Sequence, residues 1–345
     1  MTPLFYRPII VAIAVSFYQF TTPLFPYDRS NPVIYDNDNA LDIYTDELVM
    51  ALASAGEIDL RGMISTTSIA PYNHLCDFNC SETLVRLARI TGVTKARRSG
   101  FRNAPDPVLG CIGHLVKPDS GEIADTRPCG SWGAWLIVDE ARKASVTKPL
   151  VVVVGGPLST VADAYLLDNR IAENIVISYM GGDRDQQLTM QDYNSWSDGW
   201  AAHIVVQKFR VMMFTDLDSP TVPHGRLSEL PDTELRQWMI DKPLARYSID
   251  REIDGDGLPV VPLMRPESIQ FSRRVSFRGS VDFAVDGNVH VVPVLKDDPF
   301  GASLMVRIDA RTATDEWWRA IKNPVAWWKG RVAVPRQRLG SIGHF

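Results

Sequence analysis

From residue 31 onward, short apolar and β-branched runs alternate with stretches whose apolar positions recur at helical spacing, the pattern of parallel strands joined by crossover helices. Val33-Ile34-Tyr35 predicts a first strand ending in acidic residues, and Leu60 to Ile64 a second. Between them Asp46 to Ala53 reads as a helix through Leu48, Val49 and Leu52, with Thr45 placed to cap its first turn. Glu82 to Ile90 predicts another helix. The strongest strand is Leu150 to Val154, a run of the kind buried on both faces of a parallel sheet. It ends in Gly155-Gly156-Pro157, after which Val161 to Leu167 resumes a helical pattern. Asn174 to Tyr179 and Arg210 to Phe214 predict further strands, with a helix around Trp200 to Val206 between them. Residues 99 to 132 read as irregular. The tail from Val281, including Val289 to Leu295, adds strand-like segments before a Trp-rich terminus. No internal repeat or low-complexity linker interrupts this order. The expectation is one α/β domain over residues 31–345, with a mostly parallel, Rossmann-like open sheet flanked by helices.

Composition narrows the range of partners. The chain has 345 residues, 45% of them hydrophobic, enough for a substantial core. Its formal net charge is −5, and its cations are scattered, with Lys95, Arg97 and Arg98 the densest cluster beside Arg273-Arg274. No basic stripe tracks a phosphate backbone, which argues against a nucleic-acid polymer. Arg7 precedes the apolar run Ile9 to Val15, so residues 1–25 read as a signal peptide, with a buried N-terminal element as the alternative. The run is too short to span a membrane. Cys76, Cys80, Cys111 and Cys129 form an even set that suits two disulfides in an exported protein. A zinc site competes weakly, because no second closely spaced pair follows Cys76 and Cys80. The expected location is therefore outside the cell, with the cytoplasm as the alternative.

Candidate chemistry begins with Asp36, Asp38, Asp42 and Asp46, four carboxylates in eleven residues between the first strand and the first helix. In an open α/β sheet, ligands sit beyond the carboxyl ends of the strands. Such a cluster repels itself unless a cation neutralises it, and hard oxygen ligands select calcium or magnesium. An ordinary solvated acidic loop is the bland alternative.

Further segments follow in order: Ala53-Ser54-Ala55-Gly56-Glu57-Ile58-Asp59-Leu60-Arg61-Gly62-Met63-Ile64-Ser65, then Val154-Gly155-Gly156-Pro157-Leu158-Ser159-Thr160, then Ile177-Ser178-Tyr179-Met180-Gly181-Gly182. Asp192-Tyr193-Asn194-Ser195-Trp196-Ser197-Asp198 and Asp256-Gly257-Leu258-Pro259-Val260 complete the series. With the aspartate-rich opening motif, this succession resembles the inosine-uridine-preferring nucleoside hydrolase superfamily. The likeness is thin between residues 95 and 145 and beyond about residue 270.

The resemblance implies calcium held by Asp38, Asp46, Asp256 and the backbone carbonyl of Ser159, with Asp38 as the base that deprotonates the attacking water. It also implies that Asp192 and Asn194, with Asp42, contact the sugar of a nucleoside or ribosyl substrate, and that the protein is oligomeric. The departures are an opening motif longer than usual, Thr45 in place of a sugar-binding aspartate, and Asp192 in place of a glutamate. Gly255 stands where purine-cleaving members carry a leaving-group acid. His114, His203, His224 and His290 are candidate substitutes for that acid. The leading expectation is calcium-dependent hydrolysis of the N-glycosidic bond of ribonucleosides. One alternative is an exported, non-catalytic member that binds a ribosyl or carbohydrate ligand. A third is action on a carbohydrate stacked on Trp317-Trp318 and Trp327-Trp328.

Overall fold

The computed structural model describes residues 26–38, 44–67, 82–182, 192–214, 219–242, 254–271, 275–279, 291–297 and 303–327. The signal-peptide reading, Cys76, Cys80, Asp42, His290 and Trp328 all lie outside them.

Alternating side chains on each strand divide the core in two. Val33, Tyr35, Val151, Val153 and Phe214 face one layer, while Ile34, Val152, Val154, Ile177 and Val211 face the other. A strand buried on both faces has no room for polar alternation, which explains the unbroken run of β4 (Leu150–Val154). That strand is central, between β1 (Pro32–Asn37) and β5 (Ile175–Met180), with β2 (Asp59–Ser65) and a short β3 (Pro107–Leu109) beyond β1. On the other side come β6 (Arg210–Phe214), β10 (Ser303–Ile308) and β7 (Ile269–Phe271), giving the order β3-β2-β1-β4-β5-β6-β10-β7. Every pairing is parallel except β10 with β7. The remaining strands, β8 (Val275–Gly279) and β9 (Val291–Asp297), form a separate antiparallel ribbon.

On the first face lie α1 (Thr45–Ser54), α2 (Glu82–Arg98), α7 (Glu234–Asp241), α8 (Val261–Met264) and α9 (Ala310–Ile321). The second face is covered by α3 (Trp132–Ala141), α4 (Ser159–Leu167) and α6 (Gly199–Lys208), the last preceded by the single turn α5 (Tyr193–Ser197). α1 ends because Gly56 adopts φ +72°, which lets the Gly56 and Glu57 N–H groups fold back onto the carbonyls of Ala53 and Leu52. Among the described residues no helix is long and apolar enough to cross a membrane.

Two local expectations are corrected. Thr45 does not cap α1: Tyr44 holds the cap position without a side-chain bond, and the Thr45 hydroxyl donates to Asp254 at 2.5 Å. A buried carboxylate is the stronger acceptor and takes the donor. Among the described residues the tryptophans form no stacking surface either, since Trp317, Trp318 and Trp327 are 0%, 4% and 4% exposed and pack into the core. The amphipathic stripe of α9 turns Trp317 and Trp318 inward.

Cys111 and Cys129 are bonded across 18 residues, tying the segment after β3 to the start of α3. There Ser131 caps the helix, and Asp163 of α4 accepts hydrogen bonds from Gly130 and Ser131. Closing a loop of that length in the unfolded chain is worth about 3 kcal/mol. Urea unfolding of the Cys111→Ser/Cys129→Ser variant should show a loss of that order; less than about 1 kcal/mol would mean that the Asp163 contacts alone hold the segment.

On α6, the His203 ring stacks on Trp200 at 5.0 Å, its Nδ1 is buried without a partner, and burial lowers its pKa to about 4, helped by Lys117 and Lys208. Because the unfolded chain takes up this proton more readily, the contribution to stability holds above the ordinary value of 6.5 and is lost as pH falls toward 4. His203→Phe should therefore lose less melting temperature between pH 8 and pH 5 than the wild type does. Equal losses would assign the acid sensitivity to other groups.

Candidate active site

The carboxyl ends of β1, β4 and β5 converge on the turn Gly155-Gly156. Gly155 donates its N–H to the Asp36 carbonyl at 2.9 Å. The Asn194 Nδ2 donates to the carbonyls of Gly155 at 3.1 Å and Met180 at 2.9 Å, stitching β4 to β5. A Cβ on Gly155 would stand 2.3 Å from Asn37 Nδ2 and 2.8 Å from the Asp256 carboxylate; one on Gly156 would lie 3.0 Å from Asp38. Only glycines let these groups approach the turn so closely. Asn37 in turn donates to Asp256 Oδ2 at 2.8 Å, so neighbouring residues at the end of β1 meet both sides of the site.

Asp36 lies on the opposite face of β1. It accepts from Thr66, which also bonds Thr160, while Oδ2 is buried without a partner. Burial pushes its carboxyl up to about 7, against the pull of Thr66 and Arg89.

Asp46, in the first turn of α1, faces α2. Both of its oxygens are taken by Arg89, with Nε on Oδ2 at 2.8 Å and Nη2 on Oδ1 at 3.1 Å. The guanidinium is fully buried, and its Nη1 donates to the carbonyls of Asn37 and Ile64 and to Ser65 Oγ, filling the crevice between the carboxyl ends of β1 and β2. Burial works against its charge, but Asp46, Tyr35 and Asp36 outweigh that and raise its pKa.

The sequence does not single out Arg89, although one signal is there: it falls on the inward stripe of α2 with Val85, Val93 and Ala96, where an apolar residue belongs. Asn37 and Asp254 were equally unforeseen. Asp254 is buried and accepts from Thr45, Trp317 and the Gly257 N–H.

Ser159 opens α4 and donates its hydroxyl to Asp198 at 2.6 Å. Asp192 caps α5, accepting from Ser195 N, Ser195 Oγ and Gly182 N. Those bonds fill most of its lone pairs and fix the turn that carries Asn194.

Asp38 and Asp256 are thus brought to one turn, while Asp46 is turned toward Arg89. Among the described residues, the only His, Cys, Asp or Glu side chains offering three ligand atoms within 4.8 Å of one another are Cys111, Cys129 and Asp163. That trio is spent, the sulfurs on their disulfide and Asp163 on Gly130 and Ser131. Of the candidate histidines, His224 has its Nδ1 3.1 Å from the Tyr44 hydroxyl. His114 is exposed, and His203 stacks on Trp200 of α6.

Comparison with known proteins agrees with this fold. The inosine-uridine preferring nucleoside hydrolase family matches residues 33–307, and the chain belongs to that family. It is accordingly a hydrolase of the nucleosidase class, which cleaves N-glycosidic bonds of small nucleoside-type substrates and belongs among metal-dependent enzymes. Its fold is similar to a purine-preferring ribonucleoside hydrolase from Gardnerella vaginalis (TM-score 0.62, 16% identity, 86% of this chain and 99% of that one). It is similar also to a plant nucleoside hydrolase (0.61, 15%, 85% and 99%). The inosine-uridine preferring enzyme of Bacillus anthracis is a further likeness (0.57, 13%, 85% and 99%). No curated protein sequence matches the chain.

Proposed function

We propose that the protein hydrolyses the N-glycosidic bond of ribonucleosides or related ribosyl compounds with the help of bound calcium. The observation that carries this reading is the placement of Asp38 and Asp256 on either side of the Gly155-Gly156 turn, beyond the carboxyl ends of the parallel strands. The donor chemistry fits a hard cation, being all oxygen, and the missing Cβ atoms let the Asp38 and Asp256 carboxylates close on the same turn. Asp38, Asp256 and the Ser159 carbonyl would hold it, and Asp46, the fourth member of the set, is available only when released by Arg89. A divalent ion supplies positive charge that makes a nearby water easier to deprotonate.

The chain's own groups do the rest. Asp38 takes the proton of the attacking water. Asn194, held by two carbonyls, directs the sugar, with Asp192 positioning it and Asp42 adding a further contact. Gly255 offers no proton to the leaving base, so bases that leave poorly without protonation should react slowly. The Cys111–Cys129 bridge supports an exported protein, because such bonds persist in oxidising compartments.

The test is release of ribose from inosine, uridine and p-nitrophenyl riboside. Release should stop with a chelator and return with calcium in preference to zinc. Absence of release from all three, with the ion bound, would overturn the reading.

A further inference from the structure

A family-implied cation and a resident one claim the same carboxylate. Arg89 presents its fork to both oxygens of Asp46 and anchors the rest of its donors on Asn37, Ile64 and Ser65, so the pair is fastened to the ends of two strands rather than to a mobile surface. A bidentate guanidinium occupies the two lone pairs a metal would use in the plane of the carboxylate, and it adds a full positive charge beside any ion bound there.

We propose that Arg89 is an internal competitor for the metal, a built-in counter-ion that keeps Asp46 out of the coordination sphere and lowers the affinity of the cleft for divalent ions. Two consequences follow. The acidic cleft is partly neutralised without an ion, so folding does not depend on one. And the ion rests on Asp38, Asp256 and the Ser159 carbonyl, with Asp46 recruited only when Arg89 moves. The inference rests on the metal-assisted reading above, but its signature is in binding rather than in turnover.

The experiment follows calcium by calorimetry and terbium by luminescence in the full chain, together with melting temperature in chelator and in calcium. Arg89→Met should bind the ion at least tenfold more tightly than the wild type. It should also gain melting temperature on adding calcium where the wild type gains little, because its buried Asp46 then lacks any other counter-ion. Arg89→Met/Asp46→Asn should return to wild-type affinity. If Arg89→Met fails to fold, Asp46→Asn in the presence of Arg89 decides. Under the proposal it leaves terbium affinity within about threefold, since Asp46 is not a ligand while Arg89 holds it.

Unchanged or weaker binding in Arg89→Met overturns the proposal, as does a tenfold loss in Asp46→Asn. In both cases hydrolysis by the wild type would leave the functional reading standing. An ion that binds none of the variants, with no ribose released, removes both.

Discussion

Asp38→Asn should lower the rate of nucleoside hydrolysis by about a hundred- to ten-thousand-fold, the range expected when a positioned base is lost, with little change in melting temperature. The argument starts at the end of β1. Hydrogen bonding to β2 and β4 fixes the strand as far as Asn37. Asn37 is tied to Asp256, and Gly156 leaves room for the Asp38 side chain against the turn. Asparagine keeps the size and shape that the turn accepts, but it neither takes a proton nor supplies a charged ligand. The scaffold should therefore survive while the chemistry fails. Steady-state ribose release from the substrate that the wild type handles best, with a thermal melt in parallel, checks both halves. A variant that keeps a tenth or more of the wild-type rate would move the base elsewhere, and a variant that melts far lower would make Asp38 a structural residue.

The frame of the protein was legible because burial writes itself into the chain twice, as β-branched runs for strands closed on both faces and as apolar stripes for the helices that cover them. β1, β2, β4, β5 and β6 all fall where those runs predict. The segments that bring Asp38, Asp256 and Asn194 to one turn were legible as motifs, because glycines and short polar residues there answer to close approach rather than to packing. What could not be read was partnership across long separations. Arg89 meets Asp46 from 43 residues away, and Thr45 meets Asp254 across 209. In the sequence Thr45 has the look of a helix cap because local capping is the only partner visible there. Likewise α3 has a weakly marked apolar stripe and lies at the end of a stretch that reads as irregular, and α7 is only eight residues long. Trp317 and Trp318 acquire their meaning only when α9 packs against α1 and α8.

The largest change in stability is expected from Lys242→Met, which should cost about 3–5 kcal/mol, the usual consequence of stranding a buried charge. Lys242 and Glu47 are 0% and 1% exposed at their side chains, and Nζ lies 2.9 Å from Glu47 Oε2. Glu47 Oε1 has no partner, and burial pushes its carboxyl up while Lys242 draws it back down. Lys242 also stands 5.5 Å over the Tyr44 ring, close to where Thr45 reaches Asp254, and it eases the burial of Asp254. Its removal thus leaves Glu47 without its counter-charge at the base of α1. Methionine preserves most of the aliphatic stem, so the loss reports charge rather than volume. Glu47→Leu/Lys242→Met removes both ends of the pair and should recover most of the stability, because two desolvated charges give way to apolar contacts. Urea unfolding of the two single variants and the double one measures the coupling directly. Additive losses would show that Glu47 and Lys242 act independently, and a single-variant loss below about 1 kcal/mol would show that water reaches the pair.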